Sequence, residues 1–308
     1  MRTMREAKFI SEWVNLDGEY PVPVFDHIHR KHLDVSYGPH HLQKMDIYLP
    51  ETGQAPFPVM ILVHGGGFSR CDKRDLSVYP GFFALREGFA LVSVNYRLVP
   101  EFRFPSQIID VKRAIRFLKA HGTEYGLDPQ HFFLYGDSAG GYLVSIVGTT
   151  QDTDFLDEKT DALTDVSCSV KAVAAVAPLI NLVRHYEQLT EVDYLSPELH
   201  KNMLDESSTI LSDYLGTPKN CLGELAKVAS VDTYLSQVAP PFYIQHGTRD
   251  TIIPPIQAIE FAEKLGAQIG EENVVLDMIE GAKHVGTSPE FIEENHVLPI
   301  LRFYQRFL

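Results

Sequence analysis

Serine, histidine and aspartate recur in this chain in an order and a setting that could carry out nucleophilic acyl transfer. Gly136-Asp137-Ser138-Ala139-Gly140 follows the apolar run HFFLY and opens a helix-length stretch. A serine on a sharp strand-to-helix turn needs small residues two positions away on each side, and the turn lifts its hydroxyl clear of the sheet. The N-terminus of the following helix then points at the reacting carbon. The five-residue pattern alone arises by chance in about one chain in ten of this length, so its setting carries the argument.

A second motif, His64-Gly65-Gly66-Gly67-Phe68, follows the apolar run PVMILV. Three successive glycines let the backbone turn sharply and present uncrowded amide N–H groups. Such donors suit the oxyanion of a tetrahedral intermediate, at about 3–4 kcal/mol each. A phosphate loop would instead need Lys-[Ser/Thr] after the glycines or G-x-G-x-x-G opening a helix, and neither is present. His64 reads as structural.

A serine hydroxyl is a poor nucleophile near neutral pH without a base, and the base needs an orienting carboxylate. Beyond the serine motif, Asp250 lies in HGTRD just after the apolar run FYIQ, and His284 lies in GAKH just after VVLDMI. Each would sit past the C-terminal end of a strand, where ligands bind in open α/β sheets. Asp277 and Glu280 compete for the carboxylate role. Asp277 falls inside a strand, and Glu280 is four residues from His284.

Positioning these groups requires a sheet with its strand ends gathered on one side. Short apolar runs at Gln43–Leu49, Pro58–Val63, Ala90–Val94, His131–Tyr135, Val170–Val176, Phe242–Gln245 and Val274–Ile279 read as strands. Gln43–Leu49 alternates and is placed near an edge. Helix-length stretches fill the gaps at Ser106–Ala120, Ala139–Val147, Pro255–Leu265 and Glu290–Phe307. The alternation predicts an α/β protein, a mostly parallel central sheet with helices on both faces, in a single domain over residues 1–308. Residues 181–236 break the pattern. They are polar and helix-like, and are expected to form a cap or lid insertion over the sheet edge.

Composition narrows the partners. Acidic residues outnumber basic ones 41 to 27, for a net charge of −14, which disfavours nucleic acid and anionic membrane surfaces. The opening segment has no apolar core of signal-peptide length, and no run approaches the ~20 apolar residues of a membrane span. A cytoplasmic enzyme without stable membrane association is the expectation, and a small homo-oligomer is compatible with it. Cys71, Cys168 and Cys221 form no framework and read as reduced thiols. Asp26, His27, His29 and His32 suggest a metal cluster at first sight, but the strand period turns His32 away, so a surface strand is preferred and no metal or other cofactor is called for. His40 and His41 are expected to be exposed.

HGGGF, Asn95-Tyr96-Arg97-Leu98-Val99-Pro100-Glu101 with Phe104-Pro105 and Asp110-Val111, and then GDSAGG together resemble the hormone-sensitive-lipase-like branch of the α/β hydrolases. Gln43–Pro50 (QKMDIYLP), Ala229–Asp232 (ASVD) and Pro240-Pro241-Phe242 are similar to the acetyl-xylan and feruloyl esterase-like group. The resemblance runs from about residue 43 to 300 and leaves residues 1–42 as an N-terminal extension. It implies the α/β-hydrolase fold and a triad of Ser138, Asp250 and His284. It also implies oxyanion donors at the amides of Gly66, Gly67 and Ala139, with Tyr96, Arg97 and Asp110 as supports behind the site. The expected activity is serine carboxylester hydrolysis of small short-acyl esters, acetylated sugars or aromatic esters among them, through an acyl-enzyme. An amidase, arylformamidase or peptidase of the same fold would use the same groups. A non-catalytic ligand receptor could dispense with a triad member, and here all three are present.

Overall fold

The computed structural model describes residues 14–15, 22–23, 27–151, 153–154, 156–158, 162–194, 197–218, 223–286 and 288–308. Among them, eight strands form one mixed sheet. In chain order these are β1 (Lys31–Ser36), β2 (Lys44–Tyr48), β3 (Phe57–Val63), β4 (Ala90–Val94), β5 (Leu127–Asp137), β6 (Ala172–Val176), β7 (Phe242–Gly247) and β8 (Val274–Ile279). Their order across the sheet is β1-β2-β4-β3-β5-β6-β7-β8. Only β2 runs against its neighbours; β4 through β8 pair in parallel. A short antiparallel pair, Val14–Asn15 with Val22–Pro23, stands apart from the sheet.

The strands are short and apolar because the sheet is covered on both sides. Alternate residues feed two cores. Val59, Ile61 and Val63 of β3 face one cluster, and Met60 and Leu62 face the other. The first core is closed by α2 (Ser106–His121), α3 (Ala139–Thr149) and α7 (Ile256–Ile269). The second is closed by α1 (Tyr79–Arg86) and α8 (Glu294–Gln305). The mostly parallel sheet with helices on both faces is the architecture the apolar alternation predicts.

Three details differ from the sequence reading. Residues 31–36, within the segment set aside as an N-terminal extension, form the outermost strand, so β2 is second from the edge and wholly covered at Met45 through Tyr48. The unlooked-for helix α1 buries every residue but Arg86 and so shows no amphipathic period. The final helix starts at Glu294, after a separate 3₁₀ turn at Pro289–Ile292.

Residues 181–236 lie between β6 and β7. Their described part is largely helical: α4 (His185–Thr190), α5 (Pro197–Leu215), α6 (Gly223–Val228) and a 3₁₀ turn at Val231–Tyr234, joined by turns. The C-terminal turn of α5 is pinned to the body by Tyr214. Its ring stacks on Phe68 with centroids 3.9 Å apart, meets Tyr142 edge-on at 5.7 Å, and is fully buried. The backbone amide of Phe104 donates to the Tyr214 carbonyl at 2.9 Å.

Candidate active site

Ser138 occupies the turn between β5 and α3 with φ 54° and ψ −117°, a conformation that a residue with a side chain adopts only under constraint. The constraint is visible in the glycines. A methyl group on Gly140 would lie 2.0 Å from the carbonyl oxygen of Val63, so β3 and α3 can approach only with hydrogen there. The turn is closed by the Ser138 amide donating to Val176 on β6 at 2.8 Å and by the Tyr142 amide donating to the Ser138 carbonyl at 3.0 Å.

The loops after β7 and β8 bring Asp250 and His284 to this hydroxyl. His284 Nε2 is 2.8 Å from Ser138 Oγ, and its Nδ1 is 2.7 Å from Asp250 Oδ2. Asp250 is fully buried, and its Oδ1 accepts the amides of Ile252 and Ile253 at 2.8 and 3.0 Å. Burial alone would raise its carboxyl, but attraction to His284 and hydrogen bonds from His246 and His284 outweigh it, holding the group well below the usual carboxylate range. An ionised carboxylate can only accept, so His284 carries its proton on Nδ1 and leaves Nε2 to accept from the serine hydroxyl.

The competing carboxylates are engaged elsewhere. Asp277 points across the sheet and accepts from Tyr243 Oη and Gln245 Nε2, both at 2.8 Å. Glu280 is exposed.

Gly66, Gly67 and Phe68 take successive positive φ values of 95°, 58° and 63° in the loop after β3. Gly67 and Ala139 line the same cavity as Ser138, whereas Gly66 is not among its lining residues. The Gly66 carbonyl receives the amides of Ser69 and Arg70, both at 3.2 Å, which folds the loop back on itself. Tyr96 holds the loop from beneath. Its hydroxyl donates to the carbonyls of His64 and Gly65 at 3.0 Å, and its ring stacks on His64 at 4.4 Å. His64 is buried, and burial pushes its imidazole below the usual range despite the Gly65 carbonyl. Arg97 in turn grips buried Asp110 through its amide, Nε and Nη2, and Gln43 adds a 2.7 Å bond to the same carboxylate.

The cavity has a volume of about 60 Å³. Its walls are Gly67, Phe68, Ser138, Ala139 and Leu179, with His185, Ile210 and Leu211 from the insertion and Ile252 and Ile253 from the loop after β7. Besides Ser138 the polar lining residue is His185, and burial pushes its imidazole down to about 4, so it is neutral at ordinary pH.

Of this wall, sequence reasoning singled out Ser138, Gly67 and Ala139 but not Leu179, His185, Ile210, Leu211, Ile252 or Ile253, nor did it single out Asp137, His246 or Tyr194. Asp137 reads as the variable position of its motif, yet its carboxyl is buried behind the serine and receives only the Ser77 hydroxyl at 3.2 Å, while its Oδ1 has no partner among the described residues. Burial, with the neighbouring Asp75, pushes it up to about 7. His246 Nε2 lies 3.1 Å from Asp250 Oδ2, and the hydroxyl of Tyr194 donates to the Asp250 carbonyl. The spacing of His246 four residues before Asp250 was the available signal.

No group of three or more metal-ligating side chains occurs among the described residues. His29 is exposed, His27 faces the Phe82 ring, and His32 lies in β1; Asp26 falls outside the described residues. Cys71 and Cys168 are free thiols, and Cys221 lies outside the described residues. No described helix is long and apolar enough to cross a membrane.

Comparison with known proteins places these features among esterases. The BD-FAE family model matches residues 45–265. The probable carboxylic ester hydrolase LipM of Mycobacterium tuberculosis is 31% identical over 258 residues, covering 82% of this chain and 55% of its own length. The chain thus spans little more than half of the curated relatives it matches. Among solved structures, a bifunctional GH43-CE protein of Bacteroides eggerthii is 27% identical with a TM-score of 0.76, covering 90% of this chain and 35% of that one. A truncated carbohydrate esterase from gut microbiota superposes with a TM-score of 0.79 at 21% identity, covering 92% and 98% of the two chains, and shares the fold.

Proposed function

The chain belongs to the BD-FAE family of α/β hydrolases, and on that premise we propose that it is a serine carboxylesterase acting on small esters with short acyl groups, acetylated sugars and small aromatic esters among them. Ser138 attacks the ester carbonyl as its proton passes to His284 Nε2, and Asp250 stabilises the imidazolium that forms. The amides of Gly67 and Ala139, with that of Gly66 beside them in the loop, receive the developing oxyanion. His284 then returns the proton to the departing alkoxide, leaving an acyl-enzyme. Water, deprotonated by the same imidazole, attacks the acyl-enzyme and restores Ser138 while the acid departs.

One observation carries this reading. The Ser138–His284–Asp250 chain, with links of 2.8 and 2.7 Å, opens on a cavity whose walls are mostly apolar. A small, mostly apolar cavity beside the nucleophile suits a short acyl group. The name of the LipM relative supports the same reaction class.

Hydrolysis of p-nitrophenyl esters from acetyl to dodecanoyl tests it. The expected profile falls steeply beyond butanoyl and vanishes in Ser138→Ala, with the fold intact by circular dichroism. Undiminished turnover by that variant, or a dodecanoyl ester preferred over acetyl, would overturn the reading.

A further inference from the structure

The cavity wall divides by origin. Its serine, its glycine and the residues after β6 and β7 belong to the sheet framework, whereas Ile210 and Leu211 come from α5 of the insertion. The two are placed differently. Leu211 is buried in the main core at 3% exposure, and Ile210 is half-buried. Ile210 also faces the oxyanion loop: its Cδ1, Cγ2 and Cγ1 lie 3.6, 3.7 and 3.8 Å from where a Cβ on Gly67 would be. These are ordinary contact distances, so Ile210 faces Gly67 across the space of one methyl group, and both line the cavity beside Ser138.

Its position is fixed from one turn away. Ile210 and Tyr214 are four residues apart and share a face of α5, and Tyr214 is clamped between Phe68 and Tyr142. The branched Ile210 side chain cannot swing aside without changing its stiff χ1 rotamer. Phe68, the clamp's partner, follows Gly67 in sequence and lines the same cavity. Oxyanion loop and insertion are thus held in one register, with Ile210 in the wall of the cavity that opens beside Ser138.

We propose that Ile210 is the specificity-determining residue of the site, the wall that limits acyl length. This deepens the esterase reading and rests on it. Shortening Ile210 opens the cavity along Gly67 without touching Ser138, His284 or Asp250, and enlarging it closes the cavity to all but the smallest acyl group. One methylene in an apolar pocket discriminates by roughly 10–200-fold, so removing three carbons from the wall is enough to move the chain-length optimum.

The test compares kcat/KM for p-nitrophenyl acetate, butanoate and octanoate in the wild type, Ile210→Ala and Ile210→Trp, with methyl, phenyl and naphthyl acetates as a series of constant acyl group. In Ile210→Ala the octanoate-to-acetate ratio of kcat/KM is expected to rise by at least about tenfold. In Ile210→Trp butanoate is expected to fall at least about tenfold against acetate. An unchanged acyl ratio in both variants, or a change confined to the alcohol series, overturns the assignment to acyl length. The outcomes separate the two claims: a wild type inactive on every ester refutes the esterase reading, whereas an active wild type with indifferent Ile210 variants refutes only this one. Because Ile210 is half-buried, and two substitutions of opposite size are compared, loss of folding in one leaves the other decisive.

Discussion

At the scale of single residues, the site contains one carboxyl that aids neither proton transfer nor orientation. Asp137 adjoins the nucleophile, is 7% exposed, and is pushed up to about 7 by burial and by Asp75. A carboxyl raised in the fold from the 3.8 of an open chain favours folding fully only below that lower value, and this contribution is lost as pH rises through about 7. Asp137→Asn keeps the size and removes the charge. Chemical denaturation at pH 5 and pH 8 should therefore find the variant gaining on wild type at the higher pH, by up to about 3 kcal/mol, since only the two pH units between pH 5 and about 7 count, at 1.36 kcal/mol each. Equal differences at both pH values would mean that Asp137 is not held protonated. Asp137 was hidden in the sequence because the x of G-x-S-x-G carries no side-chain requirement. Asp250 and His284 were visible because each follows an apolar strand, and Asp277 competed until its bonds to Tyr243 and Gln245 were seen.

At the scale of elements, legibility followed burial. Strands covered on both faces, such as β3 and β4, appear as continuous apolar runs, and the sequence reading found them within a few residues. Strand β1, KHLDVS, was met only at its start by the surface strand read over Asp26–His32, because as an edge with four of its six residues exposed it shows no apolar run. Helix α1 was missed for the opposite reason, being buried all round. The insertion could be delimited by its polarity, but not its seating, which depends on Tyr214 meeting two aromatic rings far away in sequence. That seating makes a prediction. Tyr214→Ala removes a buried ring from two aromatic contacts and should cost about 3–5 kcal/mol in urea unfolding, whereas Tyr214→Phe, which loses only a 3.3 Å hydroxyl contact with Tyr142, should cost about 1 kcal/mol. Comparable losses in the two variants would mean that the hydroxyl, and not the ring stack, seats α5.

At the scale of the molecule, the sequence order Ser138, Asp250, His284 becomes a convergence of three loops at the C-terminal ends of parallel strands, with Gly67 arriving from a fourth. The fold explains why residues up to 146 positions apart can meet at 2.8 Å. The net charge of −14 acts on the whole. It repels anionic esters and leaves neutral ones unaffected, and salt screens it over about 10 Å at 0.1 M. Accordingly, kcat/KM for an acetate ester with a carboxylate-bearing alcohol should rise between 10 and 300 mM salt, while that for p-nitrophenyl acetate stays flat. Parallel responses would show that the field does not reach the site.

The central claim is that Ser138 forms a covalent acyl-enzyme, and stoichiometric labelling with a fluorophosphonate followed by intact-mass and peptide mass spectrometry tests it most directly. One adduct per chain is predicted, carried by the peptide containing Ser138 and absent from Ser138→Ala. An unlabelled wild type, or an adduct that persists on another residue in Ser138→Ala, would contradict the account.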